Sequence, residues 1–180
     1  MASPISCLSI LIIPLLVNSL FYDVSNADRA LVEKICKKSM DYDFCLSIFL
    51  SDHEGLTNVL YNLGLVSTDV SLGIISDVNN GEIRNVLTRV TDPLDRRNIL
   101  DCQTDIDDLY GDMQLAYNAP STQSYAKEAT YLASAQQKIT KCNKRFEGPP
   151  KHESPISGNT SKITKLINIS SVIVSMITSS

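Results

Sequence analysis

Through most of the chain apolar residues recur every three or four positions, the spacing that lines them up on one face of an α-helix. Near the N-terminus, Ala30, Leu31 and Ile35, followed by Phe44, Ile48 and Phe49, suit two short amphipathic helices joined at "SMDYD", with Asp41 placed to cap the second. Residues 63 to 90 carry Val66, Val70, Ile74 and Val78, then Ile83, Val86, Leu87 and Val90, roughly one apolar face. "NNG" at 79–81 breaks this run with poor helix formers, so the segment is either kinked there or two shorter helices. "TDP" at 91–93 closes it and opens the next helix, with Asp92 as cap and Pro93 in the first turn. Ile99, Ile106, Leu109, Met113 and Ala116 then predict a helix over 93–119. "APST" at 119–122 is a turn, and Tyr125, Ala129, Leu132, Ile139 and Phe146 predict its partner over 121–147. "EGPPKHESPISGN", 147–159, reads as a linker, because its Pro and Gly residues oppose a helix. A last pattern has Ile163, Leu166, Ile167, Ile173 and Ile177 on one side and Lys162, Lys165, Ser175 and Ser179 opposite. It predicts the fourth helix of a bundle. The rival reading, a membrane tail or lipid-anchor signal, is opposed by Lys162, Lys165 and Asn168 and by the polar end.

Ahead of these helices "ISCLSILIIPLLVNSLF" is an apolar run, followed by "YDVSNA" with small residues at Ser25 and Ala27. This predicts a secretory signal peptide over 1–27, cleaved after Ala27, rather than a membrane anchor. The remainder, 28–180, is one helical domain with a hairpin extension at 28–62 and a bundle at 63–180. Cleavage removes Cys7 and leaves Cys36, Cys45, Cys102 and Cys142, an even number entering an oxidising compartment. There is no CxxC for redox chemistry, and neither His53 nor His152 lies near a cysteine as a zinc site would want. Disulfides are the expectation, and the helices suggest their pairing. Cys36 and Cys45 face each other across the small hairpin. Cys102 and Cys142 are equidistant from position 122, in the turn between two antiparallel helices, and so stand at the same height.

A chain of 180 residues with 43% apolar and 20% charged residues can bury one core. Few β-branched runs in the middle, seven Gly and seven Pro favour helices over a sheet, and a net charge of −4 gives no surface for nucleic acid. Catalysis finds little support: His53 sits in an expected loop beside Asp52 and His152 in the Pro-rich linker, both read as solvated rather than as bases. Asp101, Asp105, Asp108 and Asp112 form a stripe at helical spacing without the turn and mixed carbonyl ligands of a calcium site. No metal and no cofactor are expected. The stripe reads as a water-facing surface open to a basic partner. "NTS" at Asn159 and "NIS" at Asn168 are glycosylation sequons, Asn159 in the linker and the more accessible, Asn168 on the polar side of the last helix.

These residues resemble the plant inhibitors of cell-wall invertase and pectin methylesterase over nearly the whole mature chain. "ICKKSMDYDFC" looks like that family's opening cysteine motif, and "LDCQTDIDDLYGDMQLAYNA" and "YLASAQQKITKCNKRFE" resemble two of its helices. "SPISGNTSKITKLINISSVI" is similar to its closing segment. The resemblance implies an all-α, four-helix up-and-down bundle with an N-terminal helical hairpin and two sequential disulfides. It also implies a non-enzymatic inhibitor of a carbohydrate-active enzyme, secreted to the apoplast or alternatively the vacuole, with no membrane contact after cleavage. Where some invertase inhibitors carry Pro-Lys-Phe, this chain reads "TQSYA" at 122–126, which favours pectin methylesterase as target over acid invertase. Tyr131 in place of a Trp, "SAQQ" and "LVEKI" depart from the family pattern and keep a non-inhibitory relative as an alternative. In the family the target lies across outer helix faces. Here the expected contact is the Asp101, Asp105, Asp108 and Asp112 stripe, with both Asp105 and Asp108 pointing to water, or else the start of the following helix at Thr122, Gln123 and Tyr125.

Overall fold

The computed structural model describes residues 29–50, 59–122, 124–148 and 153–179. The expected signal peptide with Cys7, the histidines His53 and His152, and Gln123 lie outside the described residues. Helix α1, residues 29–36, and α2, Tyr42–Leu50, form the N-terminal hairpin. Asp41 starts α2 as expected, its Oδ1 accepting from the Phe44 amide at 3.0 Å. The Cys36–Cys45 disulfide spans the hairpin with the two Cα atoms 5.4 Å apart.

The "NNG" interruption falls in a π-helical turn that separates two α-helices without a break in the helical backbone. Helix α3, Leu60–Asp77, runs through a π-helical turn at Val78–Glu82 into α4, Ile83–Arg89, and the residues at both junctions keep helical backbone angles. The wide turn has a packing reason. Val78 and Ile83 are both fully buried although they are five positions apart, a spacing that an unbroken α-helix would rotate off one face. The turn absorbs the extra residue, and Asn79 O finds a donor in Gln103 Nε2 at 3.1 Å.

Asp92 caps α5, Pro93–Asn118, accepting from the Leu94 and Asp95 amides at 2.8 and 2.9 Å, with Pro93 at the first turn where its missing N–H costs nothing. A 3-10 turn, Ala119–Thr122, leads to α6, Tyr125–Lys144. Helix α7, Ser157–Thr178, starts inside the segment expected to be linker. Gly158 and Asn159 fall in its first turn, where the amide groups have no intrahelical partner, so residues that are poor helix formers are tolerated there.

Helices α3, α5, α6 and α7 close a ring, α5 on α6, α6 on α7, α7 on α3 and α3 on α5. Inside it lie Ile75, Ile99, Ile106, Leu109, Met113, Leu132, Ile139, Ile163 and Ile167. The Cys102–Cys142 disulfide ties α5 to α6 across a Cα separation of 4.7 Å. A second apolar cluster joins the hairpin to the bundle. Val32, Ile35, Ile48 and Phe49 meet Leu63 of α3 and Leu166, Ile169, Ile173 and Met176 of α7. Helix α7 is therefore buried on two sides, which accounts for its apolar character. No helix among the described residues is long and apolar enough to cross a membrane.

Candidate partner-binding surface

The acidic stripe of α5 is not the water-facing surface that its spacing suggested. Helices α5 and α6 are antiparallel and stapled at Cys102–Cys142, so the residues beside the cysteines meet across the groove between them. Lys141 Nζ donates to Asp105 Oδ1 at 2.6 Å, and Arg145 reaches Asp105 Oδ2 through Nη2 at 2.8 Å and Nε at 3.1 Å. Arg145 Nη1 also lies 3.4 Å from Asp101 Oδ2. One turn further along, Lys138 Nζ bonds Asp112 Oδ2 at 2.5 Å and the Asp108 carbonyl at 3.1 Å. Asp105 has only 5% of its side chain exposed and Asp112 only 13%. Burial pushes the Asp105 carboxyl up, but hydrogen bonds and charge from Lys141 and Arg145 outweigh it and hold the pKa below the ordinary carboxylate range.

Three cations thus face Asp101, Asp105 and Asp112, and the stripe's field is largely cancelled within the molecule. The expectation that Asp105 points to water is corrected: its carboxylate is an internal tie between helices. Asp108 stays exposed, and 47% of the Asp101 side chain does too. The three basic partners were missed, yet the sequence held a signal for Lys141 and Arg145. Asp105 and Lys141 are equidistant along the chain from Gln123, as are Asp101 and Arg145, one residue from the midpoint that pairs the cysteines.

Beyond the ladder, the described part of the α5–α6 turn brings Tyr125 against the bundle core, half-buried. The side chain of Thr122, like Gln123, lies outside the described residues. Glu128, one turn into α6, is buried at 2% exposure, its Oε2 without a hydrogen-bond donor, and burial raises its pKa to about 7. No sequence pattern marked it, because Glu is a common first-turn residue of a helix.

The polar side of α7 also proves to be a contact. Asn168 Oδ1 accepts from the Met40 amide at 2.8 Å, and Lys165 Nζ pairs with Asp41 at 2.7 Å while sitting 5.5 Å from the centre of the Phe44 ring. Both residues hold the hairpin rather than facing solvent alone. Asn159, expected in a linker, is half-buried in the first turn of α7 and donates to Glu82 Oε2. Among the described residues no cluster of three or more His, Cys, Asp or Glu is arranged to hold a metal ion.

Two solved structures share this architecture. One, a mutant form A of a pectin methylesterase inhibitor from Arabidopsis, superposes with a TM-score of 0.67 at 17% identity, covering 79% of this chain and 93% of its own. Another, a pectin methylesterase inhibitor from Arabidopsis thaliana, gives 0.58 at 16% identity, covering 82% and 95%. At such identities the likeness shows the fold. Among curated proteins none matches the chain. The family profile described as plant invertase/pectin methylesterase inhibitor matches residues 30–173, most of the sequence including the hairpin and all four bundle helices, and the chain belongs to that family.

Proposed function

We propose that this chain is a secreted inhibitor of pectin methylesterase that acts by occluding the target's substrate groove. The observation that carries the reading is the stapled architecture itself: a family profile spanning the hairpin and bundle, with two disulfides fixing helices that need not rearrange on binding. A surface already held in its bound shape loses little conformational entropy on association, so contact area converts more fully into affinity. A broad helical face can cover a polysaccharide groove without offering a scissile bond, so the inhibitor is not consumed.

The contact we assign is the outer surface of the α5–α6 pair, with Asp108 in the middle of α5 and the segment Thr122, Gln123 and Tyr125 at the turn. Asp101, Asp105 and Asp112, paired with Lys138, Lys141 and Arg145 further along toward the Cys102–Cys142 staple, fix the two helices that carry it. With most of the stripe neutralised, electrostatic steering toward a basic target is weak, and shape carries the recognition. Asn159, in the first turn of α7, is the glycan position we assign ahead of Asn168 in its middle; folding then engages Asn159 Nδ2 with Glu82 and Asn168 Oδ1 with Met40, so the glycan is added before the bundle closes. Mass spectrometry finding Asn168 occupied and Asn159 bare would reverse that order.

Titrating the purified chain into pectin methylesterase and, separately, into acid invertase tests the target. Loss of pectin methylesterase activity to a stoichiometric end point, with invertase untouched, is the expected result. Inhibition confined to invertase would move the chain to the family's other target, and no effect on either enzyme would make it a non-inhibitory relative.

A further inference from the structure

Across the ring from the α5–α6 pair, the hairpin packs on α3 and α7, and its first helix ends in a basic turn. Lys34, Lys37 and Lys38 are all exposed. They stand within about one turn of each other, because the Lys37 amide donates to the Glu33 carbonyl and the Lys38 amide to that of Ile35, both at 2.9 Å. The Cys36–Cys45 disulfide fixes this turn against α2. Among the described residues none of the three lysines forms an ion pair. The acids of the hairpin are mostly spent elsewhere. Glu33 pairs with Arg29 at 3.3 Å and Asp41 with Lys165 at 2.7 Å, which leaves Asp43. After Lys165, α7 carries no charged residue. Beside Lys38 an open groove of about 310 Å³ runs onto α7, lined by Ser171, Val172, Ser175 and Met176. Ser171 Oγ donates to the Ile167 carbonyl at 2.8 Å and keeps its acceptor side, and Ser175 is exposed.

We propose that this groove and its lysines hold an acidic polysaccharide, a de-esterified stretch of pectin in which each sugar carries a carboxylate. Each part of the surface answers a part of such a chain. The ammonium groups meet carboxylates repeated along it, the two serine hydroxyls exchange hydrogen bonds with sugar hydroxyls, and Val172 and Met176 offer an aliphatic floor to the C–H face of a ring. Repeated anions suit three separate lysines better than one compact anion does, because a lysine is a point charge on a flexible stem without a fork to grip a single group. Among the described residues none of the exposed large apolar side chains lines the groove. An acidic protein segment or a lipid surface, which both need apolar anchors, therefore fits it less well. On a chain of net charge −4 the turn is a local place of attraction for a polyanion. The choice of a polyuronate among polyanions rests on the reading of the chain as an inhibitor of pectin methylesterase, since hydrolysis of methyl esters leaves such carboxylates. The hairpin lies across the bundle from the assigned enzyme contact, so the chain can rest on the polymer while its other side covers the enzyme.

The test is an NMR titration of the isotopically labelled full chain, as secreted by a eukaryotic host, with an oligogalacturonate at low ionic strength and no enzyme present. The fully methyl-esterified oligomer, with the same backbone and no charge, serves as control. Saturable shifts of the Lys38, Ser171 and Ser175 amides are expected, with the ester weaker by about tenfold or more and the affinity falling as salt rises. Lys34→Gln, Lys37→Gln and Lys38→Gln combined, on exposed side chains without ion pairs, should keep the melting temperature and weaken binding by about tenfold or more. Ser175→Leu leaves every charge in place and fills the groove, so it should weaken binding by about fivefold, which diffuse attraction to lysines would not show. Phosphatidylserine vesicles should bind far less than the oligomer. The absence of saturable shifts, equal binding of the ester, full affinity in the triple variant or in Ser175→Leu, or vesicles bound as well as the oligomer would each overturn the proposal. Oligomer binding by a preparation that leaves pectin methylesterase active would uphold this site and count against the inhibitory function alone.

Discussion

Asp105 shows how one residue can look like surface and act as core. Its depressed pKa means that the folded chain binds a proton less readily than the unfolded one. The stability it contributes is present above pH 3.8, its ordinary value, and is lost as pH falls through the lower folded value. Asp105→Asn should cost about 1–3 kcal/mol at pH 6, since it leaves Lys141 and Arg145 without their anchor. Denaturant unfolding checks this, and a neutral effect would mean that the ladder is a surface ornament. Glu128 carries the opposite sign. Burial lifts its carboxyl from 4.5 to about 7, so the folded chain holds a proton that the unfolded chain releases across that interval. Its contribution is complete below pH 4.5 and declines as pH rises to about 7, by about 3 kcal/mol in all. Glu128→Gln should therefore leave the melting temperature unchanged near pH 4 and raise it at pH 7.5. An equal shift at both pH values would show that charge is not the cause.

At the scale of elements, helix positions and caps were legible in the sequence, because apolar spacing and residues such as Asp41, Asp92 and Pro93 act locally. The pairing of Cys102 with Cys142 was legible too, through the symmetry of an antiparallel turn. What stayed hidden depended on contacts between elements. The π-helical turn follows from the need to bury both Val78 and Ile83 beneath α5, and the roles of Lys165 and Asn168 follow from a hairpin that folds back onto α7. The orientation of the acidic stripe was hidden for the same reason, since a helical period places residues on a face without saying what that face meets. The two disulfides differ in what they close. The Cys102–Cys142 loop, with a separation of 40 residues, should contribute about 3–4 kcal/mol, and the Cys36–Cys45 loop, with a separation of nine, about 2–3 kcal/mol. Replacing Cys102 and Cys142 by Ala should thus lower the melting temperature more than replacing Cys36 and Cys45. The reverse order would show that the hairpin staple, not the bundle staple, limits unfolding.

For the whole molecule, two apolar clusters sharing α7 make the hairpin and bundle one unit, tied further by Asp41–Lys165 and Met40–Asn168. On the proposed reading a rigid body of this kind would block the target's groove and leave the chemistry beneath it unaltered, and that distinction is visible in kinetics. The most direct measurement is the rate of pectin methylesterase over a range of pectin concentrations at fixed amounts of the purified chain, analysed for tight binding. Occlusion of the substrate groove predicts that the apparent KM rises with inhibitor while kcat is recovered at saturating pectin. A fall in kcat with KM unchanged, or rates indifferent to the chain at every pectin concentration, would contradict it.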